Sequence, residues 1–165
     1  MTATVHVEDA SGCPEVPDPL RFARWVEAAL DRLGVGEVEL AVRVVGSEEM
    51  AALNGRYRNR PRPTNVLSFP AELPPEITPR FLGDLAVCAP LVAEEARAQG
   101  KDPDAHWAHL VVHGTLHLLG YDHQDEAEAA RMEALETEIL TALGYSPPYG
   151  DDFLASPSAA TTHHE

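Results

Sequence analysis

The stretch HGTLHLLGYDH, His113 to His123, limits what this chain can fold into more than any other segment. Residues four apart on an α-helix lie almost one above the other, so His113 and His117 share a face. His106 and His109 fall on the same narrow arc, one or two turns upstream, at about 100° per residue. Asp102 followed by Pro103 is a cap-plus-first-turn signal that starts a helix, and Gly120 supplies a left-handed stop. The spacing therefore predicts a helix from about Pro103 to Gly120, followed by a turn that brings His123 back toward His113 and His117.

Two imidazoles four apart hold adjacent corners of a tetrahedral ion, and His123 completes a set of three. Three protein ligands leave a fourth position open, which marks a catalytic rather than a structural site. One Zn2+ ion is the expected cofactor, although nickel, copper or cobalt suit the same ligands. The spacing is that of the zinc-peptidase pattern H-E-x-x-H-x-x-G-x-x-H, with Gly114 where that pattern has its general-base glutamate. A helical glycine costs about 1 kcal/mol relative to alanine. Gly114 therefore has two explanations: space for a bulky substrate group such as phosphate beside the ion, or a close contact between helix and strand. His109 is a candidate substrate contact or orienter of a ligand imidazole, and equally a satisfied structural histidine. Asp122 either orients an imidazole or caps the last helix, and His163 and His164 read as solvated tail residues.

The remaining elements follow from periodicity and punctuation. TVHVED (Thr4 to Asp9) and EVELAVRVV (Glu37 to Val45) alternate as strands do, and TNVLSFP (Thr64 to Pro70) and GDLAVCA (Gly83 to Ala89) are short apolar runs bounded by proline and glycine. Between these last two, AELPPEITPRF is expected to be a surface loop. Asp18 and Pro19 open a first helix with Phe22, Val26, Ala29, Leu30 and Leu33 as its stripe, closed by Gly34. Ser47 is expected to cap a short helix carrying Met50, Leu53 and Tyr57, and Pro90 to open one running through Arg97 to Gly100. A last helix spans about Asp125 to Leu143, with Met132, Leu135, Ile139 and Leu143 inward. The fold class is α+β: a small four-stranded mixed sheet with helices packed on it, and the metal site on a helix and the following turn. Residues 1–149 form a single metal-dependent hydrolase domain, and 150–165 a disordered tail rich in Ser, Pro, Thr and Ala.

Length and charge narrow the function. A chain of 165 residues is one domain's length. No apolar run approaches the ~18 residues of a membrane span, and MTATVHVEDASG lacks a leader's basic start and apolar stretch, so a cytoplasmic location without membrane partners is expected. Cys13 and Cys88 form no C-x-x-C pair and read as ordinary reduced thiols. The net charge of -15 argues against coating nucleic acid by bulk attraction. The charge is uneven, however. No acidic residue occurs between Met50 and Ala71, where Arg56, Arg58, Arg60 and Arg62 cluster, whereas seven acidic residues accompany the single Arg131 from Tyr121 to Gly144. A local anion site on an acidic body fits this pattern.

HGTLHLLGYDH, together with TNVLSFP, GDLAVC and AHWAHLVVHG, resembles the YbeY family of bacterial metal-dependent endoribonucleases from about Glu37 to Tyr149, and it matches the family signature H-G-x-L-H-L-x-G-Y-D-H throughout. The resemblance implies zinc held by His113, His117 and His123, and cleavage of single-stranded RNA. It further implies maturation of the 3′ end of the 16S rRNA precursor and ribosome quality control, with the ribosome as partner. The family's arginine after the second helix matches Arg58 in LNGRYR. Residue chemistry agrees with that role, since an arginine pairs bidentately with phosphate; Arg56, Arg60 and Arg62 either guide the strand or form a solvated loop. Two other functions compete: a metallopeptidase-like hydrolase, weakened by the absent glutamate, and a non-catalytic ribosome assembly factor whose metal only stabilises the fold.

Overall fold

Alternation of branched apolar and polar residues builds the sheet. Its strands are β1 (Ala3–Asp9), β2 (Val38–Val45), β3 (Val66–Pro70) and β4 (Arg80–Cys88) in a computed structural model that describes residues 3–71, 80–121 and 125–148. The order is β1-β2-β4-β3; β1, β2 and β4 run parallel, and β3 lies antiparallel to β4. This is the expected four-stranded mixed sheet.

Among the described residues five helices accompany it: α1 (Pro19–Leu33), α2 (Ser47–Arg58), α3 (Ala89–Gln99), α4 (Pro103–Leu118) and α5 (Glu126–Ala142). Val38, Leu40, Val42 and Val44 of β2 face one way into a core shared with Phe22, Trp25 and Leu30 of α1, Leu110 and Val111 of α4, and Met132 and Ile139 of α5. On the other face, Met50 of α2 packs with Val45, Leu67, Ala86 and Cys88. Beyond α2 that face is charged, and Arg43 bonds Glu8 at 2.8 Å and Glu49 at 2.7 Å.

Local signals place most boundaries, with instructive exceptions. Asp18 and Asp125 cap their helices by accepting from the backbone N–H of Arg21 and Glu128. Asp125 therefore takes the capping role open to Asp122, which lies outside the described residues, as do His123, 72–79 and the tail from 149. Ser47 is the first helical residue rather than the cap; extended Gly46 precedes it, and Glu48 and Glu49 complement the positive end of the helix dipole. Asp102 stands at the N-cap of α4 without a side-chain capping bond. Of the segment expected as a surface loop, Arg80 and Phe81 belong to β4 and 72–79 lie outside the described residues.

One close approach lets α4 lie on the sheet. Gly83 of β4 has φ +145°, and a Cβ there would collide with the Phe69 carbonyl and come within 3.0 Å of Leu118 Cδ2. Only glycine suits both contacts.

Candidate metal centre

Helix α4 is buried nearly all round, with Trp107, Leu110, Val111, Val112 and Leu116 in the core. Its first three histidines, His106, His109 and His113, are therefore held inside the protein, where each ring needs a partner. His106, on the first turns, meets Glu95 of α3 (Nε2 to Oε1, 2.9 Å), and Lys101 Nζ lies 3.5 Å from its Nδ1. Asn65 donates its side-chain amide to the same Glu95 at 3.2 Å. Burial pushes the Lys101 ammonium below the ordinary lysine value, against the opposing charges of Glu136 and Glu95.

Further along the helix, Glu136 of α5 reaches across to two rings. Its Oε1 lies 2.9 Å from His109 Nε2 and its Oε2 2.5 Å from His113 Nδ1, with Glu136 itself 0% exposed. Burial alone would raise this carboxyl, yet the adjoining His113 and the hydrogen bonds donated by both histidines hold it well below the ordinary carboxylate range. For His109, burial is the larger influence and lowers the imidazole below its ordinary value despite Glu136. An ionised carboxylate only accepts, so both rings must donate to it. His113 is thereby fixed with its proton on Nδ1, which directs its Nε2 lone pair away from α5.

His117 is half-buried one turn on, its ring centroid 4.7 Å from that of His113 at an interplanar angle of 76°. The expected helix end is present. Gly120, with φ +102°, donates to the His117 carbonyl at 3.0 Å and Tyr121 to that of Leu116 at 3.0 Å, the paired bonds of a Schellman motif. The turn at Gly120 and Tyr121 ends α4, and His123 lies outside the described residues. Two imidazoles meet on one helix face, and a buried carboxylate fixes the tautomer of the inner one, as ligating histidines require; among the described residues no third His, Cys, Asp or Glu joins them in a group that could hold an ion.

Two candidate substrate contacts point elsewhere. His109 is 4% exposed and turned inward to Glu136, so it backs the site instead of lining a cleft. At Gly114 a Cβ would stand 2.8 Å from Leu85 Cδ2, so the contact that calls for glycine is with β4. Its carbonyl accepts from Ser68 of β3 at 3.4 Å.

The arginine cluster lies where α2 ends. Arg58 is the last helical residue and half-buried, while Arg56, Arg60 and Arg62 are exposed. Left-handed Asn59 turns the chain, Arg60 N–H donates to the Asn54 carbonyl at 3.2 Å, and buried Asn54 donates its amide to the Arg62 carbonyl at 2.9 Å. Tyr57 packs on Phe69 of β3, whose register partner is Asp84, while Leu118 at the end of α4 sits against neighbouring Gly83. Thus α2 and α4, on opposite faces, both finish at the same margin of the sheet.

A family model described as Endoribonuclease YbeY matches residues 15–144. The chain belongs to the YbeY family. A YbeY endoribonuclease of Halorhodospira halophila is 54% identical over 147 residues, covering 87% of this chain and 92% of that one. Another, from Cellvibrio japonicus, is 48% identical over 159 residues, 96% of this chain and 89% of the relative. Among solved structures, the solution structure of TM1509 from Thermotoga maritima superposes with a TM-score of 0.57 at 22% identity over 99% of each chain, a likeness of fold. The YbeY match runs from the approach to α1 through the turn after α5, and so contains the histidine helix, Glu136 and the arginine loop.

Glu136 escaped the sequence reading because it sits in an acidic helix. Its signal was position: Glu136 lies four residues after Met132 and three before Ile139, on the buried stripe. Asn54 is similar, an amide four residues after buried Met50 on α2.

Proposed function

We propose that this chain is a zinc-dependent endoribonuclease that cuts single-stranded RNA in the cytoplasm, acting on the 16S rRNA precursor and in ribosome quality control as the family resemblance implies. The observation that carries the metal reading is the Glu136 carboxylate bridging His109 and His113 beside His117. His113, His117 and His123 would hold the zinc, and its chemistry there would be Lewis acidity toward a phosphate oxygen.

The chain's own groups do the rest. Glu136 keeps the His113 proton on Nδ1 and stops the ring from rotating. Arg58, firmly based on the last turn of α2, pairs with a phosphate oxygen as charge builds there. Arg56, Arg60 and Arg62 draw the strand to the sheet margin. With a net charge of -15, the body repels free RNA, which favours a substrate presented by a ribosomal partner.

Zinc content and cleavage of single-stranded and duplex RNA, measured for wild type, His117→Ala and Arg58→Ala, test this directly. Wild type is expected to hold about one zinc per chain and cut single strands. His117→Ala should lose both, and Arg58→Ala should keep the metal with turnover reduced roughly 100-fold or more. A wild type with neither metal nor cleavage overturns the reading. A cyclic phosphate on the product end would identify the RNA's own 2′-OH as the attacking group.

A further inference from the structure

We propose that Tyr57 is a stacking platform for an unpaired base of the RNA strand; this rests on the nuclease reading above. Tyr57 is 53% exposed, whereas Phe22, Trp25 and Trp107 lie in the core. Among the described residues only Leu20 is a comparably exposed large apolar side chain. The exposure of Tyr57 is not the looseness of a chain end. Its ring contacts Phe69 in a T-shaped arrangement, centroids 4.4 Å apart at 61°, and still leaves about half of the residue to solvent. The backbone around it is fixed as well: Asn54 holds the Arg60 amide and the Arg62 carbonyl, and Pro61 lies over Gly55, where a Cβ would touch it at 3.4 Å.

The chemistry around the ring selects the ligand. Arginines at 56, 58, 60 and 62 flank it in a stretch, Met50 to Ala71, without a single carboxylate. Exposed Asp84, across the β3–β4 ladder from Phe69, bounds the patch. A fixed aromatic among cations is how single strands are bound without sequence readout, since bases stack on the ring while phosphates meet the charges. A base inside a duplex has both faces covered by its neighbours, so a lone ring accepts only unpaired bases. Tyr57 therefore discriminates single strands from duplexes at the margin where α4 also ends.

The test uses metal-loaded protein and a 2′-O-methyl oligoribonucleotide carrying 2-aminopurine, whose fluorescence is quenched by stacking. Wild type and Tyr57→Phe should both quench it. Tyr57→Ala, with an unchanged melting temperature, should lose the quench, bind on the order of tenfold more weakly, and raise KM for single-stranded RNA more than it lowers kcat. Its preference for single strands over duplexes should narrow correspondingly. Quenching that persists in Tyr57→Ala overturns the proposal, as does wild-type cleavage without any quench; both leave the nuclease reading standing. A wild type that neither binds nor cleaves RNA overturns both.

Discussion

The histidine face of α4 and the arginine end of α2 reach the same margin of the sheet by opposite means. On α4 the histidines His106, His109 and His113 are buried and held by side chains of other helices, with Glu136 touching two rings and Glu95 a third. On α2 the side chains are largely exposed, and order comes from the backbone through Asn54 and left-handed Asn59. Metal ligation needs rings fixed to within a fraction of an ångström, which burial provides. A flexible polyanion needs charge and a surface it can reach, which burial would deny it.

The sharpest way to break the contrast is Glu136→Ala. Two imidazoles would lose one acceptor in the interior, so stability should fall by about 3–5 kcal/mol in urea denaturation. Zinc affinity in a chelator competition should drop about 10- to 100-fold. Affinity equal to wild type would show that His113 is oriented by something other than Glu136. Next in size is Gly114→Ala, where overpacking against Leu85 costs about 1–3 kcal/mol and alanine's better helix propensity returns about 1. Adding Leu85→Val should recover stability, and a double-mutant cycle without coupling would contradict the helix–strand explanation.

On the α2 side the effects should be smaller and should leave zinc affinity alone. Asn54→Ala, which removes the side-chain bond to the Arg62 carbonyl, is expected to cost about 1 kcal/mol in urea denaturation, with weaker RNA binding. Arg56→Ala should alter stability by less than about 0.5 kcal/mol. In a salt titration of single-strand binding it should flatten the log–log slope by about 0.7 if Arg56 meets a phosphate. An unchanged slope assigns Arg56 to the solvated surface.

Much of the fold was legible because local rules and packing agree. Asp18–Pro19 with Gly34 bounds α1, and Val38 to Val45 alternates as β2 does in the sheet. The i, i+4 histidines were legible for the same reason, since one helix suffices to bring them together. Glu136 was not, because its partners lie on another helix and its surroundings read as an ordinary solvated acidic face. His109 and Gly114 had two explanations each in sequence, and only tertiary neighbours, Glu136 and Leu85, distinguish them. His123 lies outside the described residues and remains the ligand that the spacing and the resemblance propose.

The strand order carries a consequence for how the chain reaches this state. β2 takes parallel partners on both sides, from residues 3–9 and 80–88, and neither pairing closes through a tight hairpin. Each needs a long loop to close before its ladder bonds form, which places the barrier to folding in chain entropy and makes assembly slow relative to helical proteins of this size. During synthesis the central strand must wait, half-paired, until the segment bearing β4 has emerged. Helices α3, α4 and α5 follow only then, so the histidine site is among the last parts of the molecule to exist.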